Sequence, residues 1–95
     1  MSERILIARE SRPSLRRGVR LQFDSARQRW LLQAPERIVL LDEIAHAILT
    51  RCDGNVSVAA ISEDLARQYA APKEEIERDV SELLQELADK GYVSA

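Results

Sequence analysis

The apolar residues of this chain follow two periods, one after the other. Val19, Leu21 and Phe23 alternate with Arg20, Gln22 and Asp24, the period of two that marks a half-buried strand. A polar break, Asp24-Ser25-Ala26-Arg27-Gln28, separates this run from Arg29-Trp30-Leu31-Leu32-Gln33, which returns as a second strand. A third run, Ile38-Val39-Leu40-Leu41, follows Pro35-Glu36-Arg37. Branched apolar side chains in succession pack well on a pleated surface. Proline is tolerated where a strand begins, because it cannot donate to a ladder from the middle. The connections are too short for a parallel crossover, so the three strands are predicted to form an antiparallel meander.

After Leu41 the period becomes helical. Asp42 is placed to cap a first helix to about Arg51, with Ile44, Ile48 and Leu49 on one face. Cys52-Asp53-Gly54-Asn55 stops it, Gly54 being suited to a left-handed cap. Ser57 opens a second helix whose Val58, Ile61, Leu65 and Tyr69 recur at three- and four-residue steps. Ala71-Pro72 breaks the chain, and proline is well placed to open a third helix. That helix carries Ile76, Val80, Leu83, Leu84 and Leu87 on one stripe, and Lys90-Gly91 closes it. Tyr92-Val93 can then fold back on the sheet or core. The predicted class is α+β, winged helix-turn-helix-like, with a three-stranded antiparallel sheet followed by three helices. It occupies residues 15–95. Residues 1–14 form an extension, expected to be disordered or exchanged with a second copy, so a monomer and a swapped homodimer are both open.

Composition adds little to this picture, but charge distribution adds more. The 95 residues are 45% hydrophobic and 32% charged, the balance of one small globular domain. One cysteine allows no internal disulfide and fits a reducing, cytoplasmic setting. No apolar run is long enough to span a membrane. The net charge of −2 hides an asymmetry. Residues 1–37 hold nine arginines against four carboxylates, and residues 38–95 hold five cations against twelve carboxylates. Either the halves attract each other within the fold, or one of them meets a charged partner.

Catalytic chemistry finds few candidates. His46 is the single histidine and Cys52 the single cysteine, too few for a zinc site. Cys52 falls at a helix C-terminus, where the dipole disfavours a thiolate. Three scattered glycines build no phosphate loop. The expectation is no enzyme activity, no cofactor and no metal. The fold class also suggests a small winged-helix DNA-binding regulator as the alternative. Its reading helices would be poor ones, however. From Lys73 to Lys90 the third helix has three cations and seven carboxylates, which phosphates would repel.

An exposed strand edge offers a different function. The last strand of a three-stranded meander has backbone N–H and C=O groups free to pair with an added strand. Ile38–Leu41 is apolar on both faces, and the leucine-rich third helix could form the second wall of a groove. The same pattern also fits a buried strand whose edge the chain's own termini cover.

Several segments together resemble a known family. Gly18-Val19-Arg20-Leu21, Ala34-Pro35-Glu36-Arg37-Ile38-Val39-Leu40-Leu41, Ile48-Leu49-Thr50-Arg51-Cys52-Asp53-Gly54, Asp79-Val80, Leu83-Leu84-Gln85-Glu86-Leu87 and Lys90-Gly91-Tyr92-Val93 look like PqqD, pyrroloquinoline quinone biosynthesis protein D. The match runs over roughly residues 15–93. Asp42-Glu43 departs from the asparagine and small residue frequent in that family. The resemblance implies a RiPP recognition element, a peptide chaperone without catalytic residues. Its partners would be the precursor peptide PqqA and the radical-SAM enzyme PqqE, with no nucleic acid and no membrane. The peptide would add as a strand along Arg37, Ile38, Val39, Leu40 and Leu41. The helical wall would come from Asp79, Val80, Leu83 and Leu87, divided between groove and core in a way that spacing does not reveal.

Overall fold

A computed structural model describes residues 4–95. In chain order the elements are β1 (Ser14–Leu15), β2 (Arg20–Asp24), β3 (Arg29–Ala34), β4 (Arg37–Leu40), α1 (Glu43–Leu49), α2 (Val58–Tyr69), α3 (Lys73–Asp89) and β5 (Val93–Ser94). Strands β2, β3 and β4 form the expected antiparallel meander in that order, followed by three helices. The class is α+β, as expected.

Each local signal has a local cause. At the β2–β3 turn the Asp24 carboxylate accepts N–H groups from Ala26 and Arg27, at 3.0 and 3.3 Å, replacing strand partners the turn lacks. Pro35 and Glu36 alone join β3 to β4, with Ala34 opposite Arg37. Asp42 caps α1 by accepting the Ala45 N–H at 2.7 Å, and Ser57 caps α2 through Ala60 at 3.1 Å.

Two stops differ from expectation. Helix α1 ends at Leu49 with a right-handed cap at Thr50. Gly54, at φ +84°, lies beyond it in the turn to α2, where its N–H donates to the Pro13 carbonyl at 2.9 Å. The left-handed cap instead closes α2, and it falls on Ala70 at φ 50°. An alanine there carries the Cβ–carbonyl crowding that glycine escapes.

The core lies between the sheet and the helices. Leu32 and Leu41 meet Ile48, Leu49, Val58, Ile61, Leu65, Ile76, Val80, Leu84, Leu87 and Val93. The inward stripes of α2 and α3 are those the helical period indicated.

The extension, from Arg4 onward, is docked on its own chain. The Ser11 and Arg9 carbonyls accept the Val58 and Ala59 N–H groups at 2.9 and 3.0 Å, satisfying donors at the start of α2. Gln85 receives the Ile7 N–H and donates to the Ile5 carbonyl. Arg4 grips Asp89 with two hydrogen bonds of 2.9 Å, and Arg9 meets Glu77 at 2.8 Å. Ile5–Ile7 forms no strand. Met1, Ser2 and Glu3, the start of the extension, lie outside the described residues. Strand β1 pairs with β5, a small second sheet that tethers the end of the extension to the C-terminus and that periodicity did not indicate.

Replacing Ala70 by glycine should raise stability by about 1 kcal/mol, since it relieves a left-handed alanine. Chemical denaturation of the two proteins checks this, with the larger midpoint expected for A70G.

Candidate functional site

The edge strand β4 sets the geometry. In an antiparallel ladder, opposed residues alternate between pairs that exchange both hydrogen bonds and pairs that exchange none. The Leu41 N–H donates to the Trp30 carbonyl at 3.0 Å, which makes that pair a bonded one. By alternation Val39–Leu32 and Arg37–Ala34 are bonded too, and Ile38–Gln33 and Leu40–Leu31 are not. The N–H and C=O groups of Ile38 and Leu40 therefore point away from β3. Among the described residues no strand stands on that side of β4.

This narrows the five residues expected along the edge. Arg37, Val39 and Leu41 turn their backbone groups toward β3, so they hold β4 in its sheet and leave no backbone group on the open side. Leu41 is further committed. Its side chain is buried in the core, and its carbonyl also accepts from Arg29 at 3.3 Å.

The side chains of β4 divide in the same way. Val39 packs against the core. Ile38 and Leu40 lie on the outer face and are 55% and 49% exposed. Leu31, opposite Leu40, is buried yet stands outside the main core cluster. Ile38, Leu40 and Leu31 thus make an apolar strip on the sheet's outer face, beside the open edge.

Two concavities adjoin α3. One concavity of about 300 Å³ is lined by Asp42, Ile44, Ala45, Ile48, Asp79 and Leu83. A second, of about 640 Å³, is lined by Arg37, Ile38, Val39, Leu40, Lys90 and Tyr92. The first lies between α1 and the middle of α3, the second between the β4 edge and the end of α3. On α3, residues 79, 83 and 90 fall on one stripe. Glu77, Gln85 and Asp89, which bind the extension, fall on the other flank. From Arg4 onward the extension is bound on that flank.

The expected helical wall is corrected at two positions. Val80 and Leu87 are 1% and 2% exposed and belong to the core. They fix where α3 sits. Asp79 and Leu83 face the groove. The stripe rotates by about 100° per residue, so neighbours such as Asp79 and Val80 part company. Ile44, Ala45, Lys90 and Tyr92 also line the two concavities and were not among the expected residues: the first two sit on α1, and the last two follow the last helical residue of α3.

Packing holds both Cys52 and His46. Burial, helped by the Asp53 carboxylate, pushes the Cys52 thiol up to about 12, and its Sγ lies 3.3 Å from the Ile48 carbonyl. The His46 ring stacks on Trp30 with centroids 4.2 Å apart. Among the described residues no group of three or more His, Cys, Asp or Glu is placed to hold a metal. No helix is long and apolar enough to cross a membrane.

The pattern of the family Coenzyme PQQ synthesis protein D (PqqD) matches residues 29–93, from the start of β3 to the first residue of β5. This chain belongs to the PqqD family. A PqqA binding protein of Rhodopseudomonas palustris strain TIE-1 is 53% identical over 91 residues, covering 96% of this chain and 89% of that one. A PqqA binding protein of Xanthomonas oryzae pv. oryzae is 50% identical over 84 residues, with 88% and 91% covered. The solution structure of the PqqD truncation of Methylobacterium extorquens PqqCD, described as a functional and stand-alone RiPP recognition element, superposes with a TM-score of 0.85 at 37% identity. It covers 99% of this chain and all of that one. The crystal structure of PqqD from Xanthomonas campestris has a TM-score of 0.57 at 50% identity, with 90% and 94% covered.

Two measurements test this geometry in the free protein. In native-state amide exchange, Ile38 and Leu40 should exchange fast while Val39 and Leu32 are protected, because only the latter pair is bonded within the sheet. Equal protection across β4 would contradict the assigned alternation. The Cys52 thiol binds its proton more tightly folded than unfolded, where its value is near the ordinary 9.0. The resulting stability is complete below pH 9 and is lost as pH rises toward 12, by about 1.4 kcal/mol per unit. Urea midpoints of the wild type should therefore fall between pH 8 and 10 more steeply than those of Cys52→Ala.

Proposed function

We propose that this protein is a peptide chaperone of pyrroloquinoline quinone biosynthesis. It binds the precursor peptide PqqA as an added strand on β4 and presents it to the radical-SAM enzyme PqqE in the cytoplasm. The observation that carries the reading is the unpaired β4 edge: the Ile38 and Leu40 backbone groups point away from β3, beside a concavity that β4 lines with Lys90 and Tyr92, and a second concavity holds Asp79 and Leu83 of α3. Membership of the PqqD family and the PqqA-binding relatives support it.

The mechanism follows from strand addition. The peptide backbone takes up the N–H and C=O groups of Ile38 and Leu40, which sets register without reading sequence. Alternate side chains of an added strand point to opposite faces. One set enters the concavity of Ile44, Ala45, Ile48 and Leu83. The other continues the outer strip of Leu31, Ile38 and Leu40, covering apolar surface otherwise left to water. Selectivity arises in these side-chain contacts. Ordering a flexible peptide offsets part of the gain, so binding stays reversible and the peptide can be handed on. None of these steps needs a catalytic group, and the protein acts without being an enzyme. The carboxylates along α3 work against the DNA-regulator alternative.

Proline substitution separates edge from sheet. Leu40→Pro removes a donor that faces the groove and leaves the bonds to β3 in place, so the fold should survive while PqqA affinity falls at least tenfold by calorimetry. Leu40→Ala, which keeps the donor, should lose less. Val39→Pro removes a bond to β3 and should lower the melting temperature outright. In the wild type, PqqA should shift the NMR signals of Ile38–Leu40, Asp79 and Leu83. Undiminished PqqA affinity in a folded Leu40→Pro protein would refute strand addition at this edge.

A further inference from the structure

We infer that the groove is electrically polarised and selects the order of charges along the strand it takes up. The inference rests on the peptide-binding reading above. At one end Asp42 and Asp79 flank the concavity containing Leu83, and at the other Arg37 and Lys90 flank Tyr92. The two walls match in length. From Arg37 to Asp42 an extended chain advances about 17 Å at ~3.3 Å per residue. From Asp79 to Lys90 a helix advances about the same at ~1.5 Å per residue. The two walls run in opposite directions, so both carboxylates lie at one end and both cations at the other.

The neighbouring charges sharpen the assignment. One Asp42 oxygen receives the Ala45 N–H, leaving the other free, and Glu43 beside it has the same sign. Asp79 makes no ion pair among the described residues. Lys90 shares its charge with Glu86 at 3.2 Å, and Glu36 adjoins Arg37 in sequence. Arg37, which makes no ion pair among the described residues, is the chief cation of its end. The ligand that fits is an extended segment with a cation near Asp42 and Asp79, a carboxylate near Arg37, and apolar residues between them. Antiparallel pairing is slightly the more stable per residue, so a guest runs opposite to β4 and only one order of charges, lysine before glutamate, places both at their matching ends. The charge polarity assigns that specificity to Arg37 and Asp79.

The test uses two synthetic peptides of about twelve residues and identical composition. They share an apolar strand-forming centre and carry lysine before glutamate, or glutamate before lysine, about five positions apart. The order with lysine first should bind the wild type at least threefold more tightly, as expected for partly exposed charge pairs, and the preference should fade in ~0.5 M salt. In the double variant Arg37→Glu, Asp79→Lys the preference should invert, an outcome a merely damaged fold cannot produce. Equal affinities in the wild type, or a preference that survives the exchange, overturn the proposal. So does failure of both peptides to protect the Ile38 and Leu40 amides. PqqA binding lost in Leu40→Pro but indifferent to charge exchange would leave the peptide-binding reading standing and remove only the polarity.

Discussion

A β-strand has two hydrogen-bonding edges, and β4 uses one. Everything distinctive about this molecule follows from that constraint. The bonds that hold β4 to β3 run through Arg37, Val39 and Leu41, so those residues are spent on the fold. The intervening residues, Ile38 and Leu40, are left with free backbone groups and with apolar side chains in water. An open apolar edge invites uncontrolled pairing. Here the edge is short, four residues, and Lys90 and Tyr92 stand across the concavity beside it. A long flat partner cannot approach it as easily as a single flexible chain can.

The rest of the fold keeps that edge open. The extension would be the obvious segment to close it, yet its hydrogen bonds lead elsewhere. Its carbonyls serve the first N–H groups of α2, and its arginines reach Asp89 and Glu77 on the far flank of α3. The guanidinium of Arg4 holds the Asp89 carboxyl below its ordinary range, chiefly through their paired hydrogen bonds. The basic first part of the chain thus meets the acidic last part within one molecule. The pairing of β1 with β5 draws the C-terminus to the same side and brings Tyr92 to the mouth of the groove.

The groups that chemistry would draw on are absorbed by packing. Cys52 sits in the core with its proton held, and His46 lies flat against the indole of Trp30. Phe23 meets the edge of the same indole at 5.4 Å, which steadies the hairpin tip on which β3 and β4 depend.

The sequence by itself determined the meander, the three helices and the caps at Asp42 and Ser57, because these depend on neighbours within a few residues. The order of strands followed from connection length alone. It also pointed to the pair of walls, through an apolar run after Pro35 and a leucine-rich last helix. Which residues of those walls face a guest was a different matter. Val80 and Asp79 are adjacent and end on different sides, one in the core and one in the groove, because the rotation of α3 is set by its packing on α2 and the sheet. Likewise Val39 and Leu40 read alike as strand residues, and only the register against β3 decides whose N–H is free. The docking of the extension and the β1–β5 pair lay beyond local pattern, since each joins residues some eighty positions apart. Local physical chemistry wrote the elements into the chain, and the orientation of each side chain waited for the packing of elements distant in sequence.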